Sequence, residues 1–276
     1  MTDPAGSAGP LLRVRASASG AAEGPASAVV LVRGAFWPDQ WMVEDSITIT
    51  GAEVEQGPVA PGGERPVRAR SGGGPVRLEY RGDFRVAGAG RLVADPEAEL
   101  PTPDRVIFPL LEWILPSRYC PSDLIAPTAD ALFGARPRRA GLLGEVVDWV
   151  RDNMIYRPGV SDALTSADET LLRREGVCRD LAHVAVSLLR GLSVPARVVS
   201  GYALHLQPPD FHALVEAHDG TAWRLLDATG LAPVETVVRI GAGRDAADVA
   251  WATATGPLLF EDLEVSVSLV EDAGGG

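Results

Sequence analysis

Three residues of the sequence are of types that together perform covalent chemistry: Cys178, His212 and Asp227. Cys178 follows Gly176-Val177 and begins a run, residues 178–192, in which Leu181, Ala182, Ala185, Val186, Leu188 and Leu189 cover much of a helical surface. This pattern predicts a buried central helix that starts at the cysteine. The free N–H groups and the positive dipole end of a helix N-terminus favour a thiolate, the nucleophilic form of cysteine. Taken alone the signal is weak, because a cysteine on a helix is more often a small buried hydrophobe.

His212 and Asp227 are linked by a second pattern. Residues 211–217 and 222–227 read as strands on either side of Asp219-Gly220, and Asp-Gly is a strong hairpin signal. In a symmetric two-residue hairpin centred there, His212 and Asp227 stand directly opposite each other on one face of the sheet. The carboxylate would then fix the ring tautomer and leave the other ring nitrogen for a thiol. An odd-length loop would break this register, and a surface cross-strand pair is the plain alternative.

The elements that must position these residues carry a wider resemblance. Gly176-Val177-Cys178-Arg179-Asp180-Leu181-Ala182-His183, Val194-Pro195-Ala196-Arg197-Val198-Val199-Ser200-Gly201-Tyr202, Phe211-His212-Ala213-Leu214-Val215-Glu216 and Leu226-Asp227-Ala228-Thr229 occur in that order. They resemble the signature segments of the transglutaminase-like superfamily and, more narrowly, its bacterial branch of transglutaminase-like cysteine peptidases. The resemblance covers about residues 103–270. It implies an α+β fold with a papain-like, transglutaminase-like core, in which the cysteine helix packs on an antiparallel sheet. A small β-sandwich-like domain precedes this core.

The resemblance also implies a Cys178-His212-Asp227 triad that forms a thioester acyl-enzyme from a peptide, amide or acyl-thioester substrate, without a cofactor. Hydrolysis, as a peptidase or amidase, leads. An acyltransferase with an amine acceptor and a non-catalytic binding module on the same fold are the alternatives. Leu214 and Ala228 stand where many relatives have the Trp of His-Ala-Trp and the Pro of Asp-Pro-Thr, and both substitutions bear on pocket shape. Tyr119, Tyr202 and Leu214 are the expected substrate-lining residues.

The remaining sequence sets bounds. A domain of short β runs is expected over residues 11–100, at 11–15, 28–33, 46–50, 76–80 and 83–86, with a catalytic domain over 101–270 and loose tails at 1–10 and 271–276. Phe36, Trp37 and Trp41 read as core or interdomain packing rather than a binding box. Helical spacing is expected at 106–114 and 142–154, a capping box at Ser166-Ala167-Asp168-Glu169, and a loop at Gly241-Ala242-Gly243-Arg244-Asp245. His183 reads as a hydrogen-bonded core histidine, His205 as exposed, and Cys120 as a thiol in a structural loop. The net charge of −12 and the absence of a basic block argue against nucleic acid and anionic membranes as partners. The four His and two Cys show no metal-ligand spacing. With no signal-peptide pattern and no apolar run of spanning length, a cytoplasmic location is expected, and oligomeric state is left open.

Overall fold

The computed structural model describes residues 9–271, so most of both expected tails lies outside the described residues. Strands come first: β1 (Leu11–Ala22), β2 (Ala26–Val30), β3 (Gln40–Thr50), β4 (Glu53–Gln56), β5 (Val67–Ser71) and β6 (Gly74–Val86). Helices α1 (Ser122–Phe133) and α2 (Gly141–Asn153) follow. A two-residue parallel bridge between β7 (Ile155–Tyr156) and β8 (Glu175–Gly176) then brackets α3 (Ala167–Arg173) and leads into α4 (Cys178–Gly191). The chain continues through β9 (Ala196–Ala203), β10 (Phe211–His218), β11 (Trp223–Leu226), β12 (Val237–Gly243), α5 (Ala246–Val249), β13 (Ala252–Thr255) and β14 (Leu258–Leu269).

Helix α4 is buried on its polar face as well as its broad apolar one: Asp180 to Arg190 are all inside, and the polar stripe of Asp180, His183, Ser187 and Arg190 is hydrogen-bonded. Helices α1, α2 and α3 pack on it from one side, and the antiparallel sheet β11-β10-β9-β12 from the other. One apolar cluster joins Leu143, Val146 and Val150 of α2, Leu181, Ala185 and Leu188 of α4, and Val198 and Val215 of the sheet. This is the α+β core that the resemblance implied.

The sandwich consists of two antiparallel sheets, β14-β1-β6-β3 and β13-β2-β5-β4. Alternate residues of β1 (Leu12, Val14, Ala16) and of β5 (Val67, Ala69) face one apolar core, as expected for sheets covered on a single face. Its last strands come from the far end of the chain: β13 pairs with β2 and β14 with β1. These two strands, which lie in the segment expected to be catalytic, therefore complete the first domain, and each sandwich sheet draws strands from both sides of the expected 100/101 boundary.

Other expectations need correction. Residues 108–114 form a 3-10 turn rather than an α-helix. Pro109 opens it, and Phe108 is 89% exposed, so no buried stripe stabilises an α-helix there. Ser166 donates its hydroxyl to Asp168 instead of capping α3. Gly241, Ala242 and Gly243 belong to β12, and only the Arg244-Asp245 end of the expected loop is outside a strand.

Trp37 lies where the sandwich meets the core. It packs under the guanidinium groups of Arg197, at 5.5 Å, and Arg239, at 5.2 Å. Between these arginines Glu216 is fully buried, 2.7 Å from Arg197 and 2.9 Å from Arg239, although the second contact does not close a hydrogen bond. Arg239 continues to Asp39 of the sandwich at 2.8 Å. Removing the central anion leaves two buried cations facing each other. Glu216→Ala is therefore expected to destabilise the fold by about 3–5 kcal/mol, read as a lowered urea midpoint.

Candidate active site

Cys178 is the first residue of α4 and is half-buried. The turn before it is locked by Asp180, which is fully buried and accepts the Val177 N–H at 2.9 Å and the Arg179 guanidinium at 2.8 Å. Asp180 and Leu181 donate their own N–H groups back to Val177 O. The first N–H groups of the helix, that of Cys178 among them, are thus left without an intrahelical acceptor.

Tyr156 lies beside Cys178, and its pKa is raised by partial burial and by the nearby Cys178 and Asp210. Tyr156 arrives there because β7 pairs with β8 and places it opposite Gly176. Sequence reasoning missed this residue. The signal was an Ile-Tyr step just past a helix and ahead of Gly176-Val177-Cys178, too short to read as a strand.

His212, second in β10, is buried, with Nε2 3.0 Å from Asp227 Oδ2. The pairing is real but its expected register is not. The ladder sets His218 against Trp223 and Val215 against Leu226, so the turn spans 219–222 rather than two residues. Asp219 builds this longer turn by accepting the N–H groups of Thr221 and Ala222, both at 2.8 Å. Continued along the strand, this register sets His212 against Thr229, whose Oγ1 is 3.5 Å from Nε2. A shift of two residues preserves the face, so Asp227 becomes a diagonal neighbour and still reaches the ring.

Asp227 lies just beyond β11, and the turn after it grips its carboxylate. Oδ1 accepts the Thr229 N–H at 2.8 Å and hydroxyl at 2.7 Å, and Oδ2 accepts the Ala232 N–H at 3.0 Å. Burial opposes the carboxylate, but His212 and these donors hold its pKa below the ordinary value. For His212, burial likewise opposes the charged ring, yet Asp227 and then Cys178 raise its pKa to about 9. The other ring nitrogen, Nδ1, is buried and makes no hydrogen bond.

Cys178 and His212 open on one cavity of 480 Å³, which Tyr119 also lines. The Tyr119 hydroxyl donates to Ala163 O at 2.7 Å, and its ring stacks on His183 at 5.3 Å. Tyr202 and Leu214, expected beside it, are not in the cleft. Tyr202 is fully buried between the sandwich and the core sheet, its hydroxyl donating to Val32 O at 2.6 Å and its ring stacked on Tyr80. Leu214 is one strand repeat further along from His212 and packs inside with Val199 and Leu225.

The remaining candidates fall away from the chemistry. His183 is fully buried and accepts the Ala246 N–H at 3.1 Å, and burial lowers its pKa to about 4. Burial pushes the Cys120 thiol up to about 12. His205 is exposed.

Residues 132–228, which contain Cys178, His212 and Asp227, match the sequence model of the transglutaminase-like superfamily. An uncharacterized protein of Mycobacterium leprae is 32% identical over 37% of this chain and 39% of its own length. An uncharacterized protein of Mycobacterium tuberculosis is 30% identical over 39% of each chain. The matched stretch thus spans less than half of these curated relatives. The crystal structure of a candidate cysteine protease from Cytophaga hutchinsonii superposes with a TM-score of 0.88 at 29% identity, covering 97% of this chain and 93% of that one.

The raised pKa of His212 makes a pH prediction. Its folded value, about 9, lies above the ordinary 6.5, so its contribution to stability is full below pH 6.5 and is lost as pH rises through 9. Between pH 6 and pH 10 the unfolding free energy from urea titrations is expected to fall further for the native sequence than for His212→Gln, by on the order of 2–3 kcal/mol.

Proposed function

We propose that this chain, whose residues 132–228 match the transglutaminase-like superfamily, is a cysteine-nucleophile acyl-transfer enzyme with Cys178 as nucleophile, His212 as proton carrier and Asp227 as the group that orients the ring. The observation that carries this reading is one arrangement. An imidazole paired to a carboxylate at 3.0 Å has its other nitrogen buried and unused, and it shares a cavity with a cysteine at a helix N-terminus.

The reaction follows from the charges. With His212 protonated over most of the working pH range, the proton shared with Cys178 resides on the ring, and the neighbouring imidazolium and helix dipole favour the thiolate. Sulfur attacks the carbonyl carbon of a peptide, amide or acyl thioester. The resulting oxyanion meets the Cys178 N–H, with the Tyr156 hydroxyl beside it as a second donor. When the tetrahedral intermediate collapses, the leaving amine or thiol takes the proton from His212 and a thioester joins acyl group to Cys178. His212, now neutral, takes a proton from water as the water attacks the thioester, and Cys178 leaves again as thiolate.

Water as acceptor is supported by the full-length likeness to a candidate cysteine protease. An amine in its place would give amide transfer through the same intermediate.

Alkylation of the intact protein by iodoacetamide, followed by mass spectrometry across pH, tests the site. Cys178 is expected to label quickly at mildly acidic pH, and the His212→Ala variant to label slowly. Labelling no faster than a free thiol, and indifferent to His212, would overturn the reading and leave a binding module on an enzyme fold. In turnover assays on amide and thioester panels, Cys178→Ala is expected to be inactive while folded. Asp227→Asn should lose about 10³–10⁴ in kcat, and Tyr156→Phe, which removes the second oxyanion donor, about 10².

A further inference from the structure

We propose that the cavity at Cys178 is an acyl pocket selective for an apolar, uncharged side chain, and that the sandwich supplies one of its walls. This rests on the reading of Cys178 as the nucleophile. The cavity, at 480 Å³, falls within the range of about 300–1,000 Å³ typical of sites that enclose much of a small ligand. Val198, Ile240 and Val249 line it from the core side, and Leu31, Trp251 and Thr253 from the sandwich side. The indole of Trp251 is held between Phe211, at 6.0 Å, and Phe260, at 5.4 Å, so this wall is fixed by rings on both sides.

Charge on the lining is already committed, the His212 ring being paired with Asp227 at 3.0 Å. The Arg179 guanidinium borders the cavity but donates to Asp180 at 2.8 Å and to Asp162 O at 2.7 Å. The Ser200 hydroxyl, buried and without a partner, is a neutral polar group on the same lining. A charged acyl side chain entering here would give up its hydration without gaining a counter-ion, whereas an apolar one gains by leaving water. The acyl donor that fits is one whose carbonyl is flanked by an aliphatic or aromatic side chain.

The same cavity gives the sandwich a role. Thr253 belongs to β13 and Trp251 precedes it, while Leu31 follows β2, so the wall exists only because β13 returns to pair with β2.

The test uses N-acetyl aminoacyl chloromethyl ketones bearing the side chains of leucine, phenylalanine, lysine or glutamate. Cys178 sulfur displaces chloride, a C–S bond forming as the C–Cl bond breaks, and the mass increase identifies the side chain captured. The leucine and phenylalanine reagents are expected to label at least tenfold faster than the lysine and glutamate reagents. Trp251→Ala should lower the phenylalanine-to-lysine ratio. Thr253→Glu, at an exposed position of the wall, should shift the leucine-to-lysine ratio several-fold toward lysine. Ratios within each protein cancel any general change in thiol reactivity, and the exposed Thr253 site keeps the test decisive if Trp251→Ala misfolds.

Iodoacetamide, which carries no side chain, separates the two readings. Fast, His212-dependent alkylation with a ratio near one, or favouring charge, overturns the apolar pocket and leaves the activated thiol standing. Slow, His212-independent alkylation with leucine and phenylalanine still preferred supports the pocket and overturns the nucleophile.

Discussion

Helix α4 carries a constraint on which the rest of the chain depends. Residues 180–190 are buried, yet its first residue has to remain within reach of solvent. A helix in dry surroundings leaves polar groups at both ends that must be satisfied. At the C-terminal end Arg138 does this, donating to Leu192 O at 2.7 Å and Ser193 O at 3.0 Å. Arg190 ties the last turn to Ala196 O at 2.9 Å and to Arg244 O at 2.6 Å. At the N-terminal end Asp180 closes the entry turn but takes the Val177 N–H rather than that of Cys178. One end is sealed by side chains, and at the other the first N–H groups beside the thiol have no intrahelical acceptor. That asymmetry makes the open end a site.

The sheet beneath α4 meets a second demand, since its outer region must join the sandwich without leaving charge exposed to apolar surroundings. Glu216 is the anion around which Arg197 and Arg239 gather, and the tryptophans at 37, 113 and 223 stack against Arg197 from 4.0 to 5.5 Å away. Arg239 and Arg91 both reach Asp39, so the chain ahead of β3 is tied to β12 and to residues 88–91. Such a network is costly to bury and costly to break, which makes it a device for fixing relative position more than for adding stability. Position matters here because walls of the cavity come from both sides of this junction.

Long, strongly patterned elements were legible in the sequence. Helix α4 begins and ends within a residue of the pattern that predicts it, because burial on nearly all sides writes itself into composition. The strands β9, β10 and β11 were legible for the same reason. The hairpin argument found the right pair through the wrong register. Asp219-Gly220 signals a two-residue turn, but the Asp219 side chain captures Thr221 and Ala222 and lengthens it. An error of two residues left the face unchanged. What the sequence did not disclose was set by contacts between distant segments. Tyr202 and Leu214 follow the strand pattern of the site but face packed interiors. Tyr156 reaches Cys178 through a bridge two residues long. The closing strands β13 and β14 look like a continuation of the second domain, and only their partners, β2 and β1, assign them to the first.

The two buried histidines show what decides charge at the site. His183 and His212 are both inside, and burial pushes each toward the neutral form. His183 accepts the Ala246 N–H and stacks on the Tyr119 ring; Asp245 and Asp180 favour its proton only from a distance, with no carboxylate hydrogen-bonded to the ring, and its pKa falls to about 4. His212 faces Asp227, and its pKa rises to about 9. The difference therefore comes from the carboxylate, and a buried carboxylate facing a histidine could itself take up the proton. Asp227 does not, because Thr229 and Ala232 supply three further hydrogen bonds from the turn that follows it. The protonated state of the ring beside Cys178 thus traces back to the residues after Asp227. Ala228, where many related sequences place proline, leaves that grip on Asp227 intact.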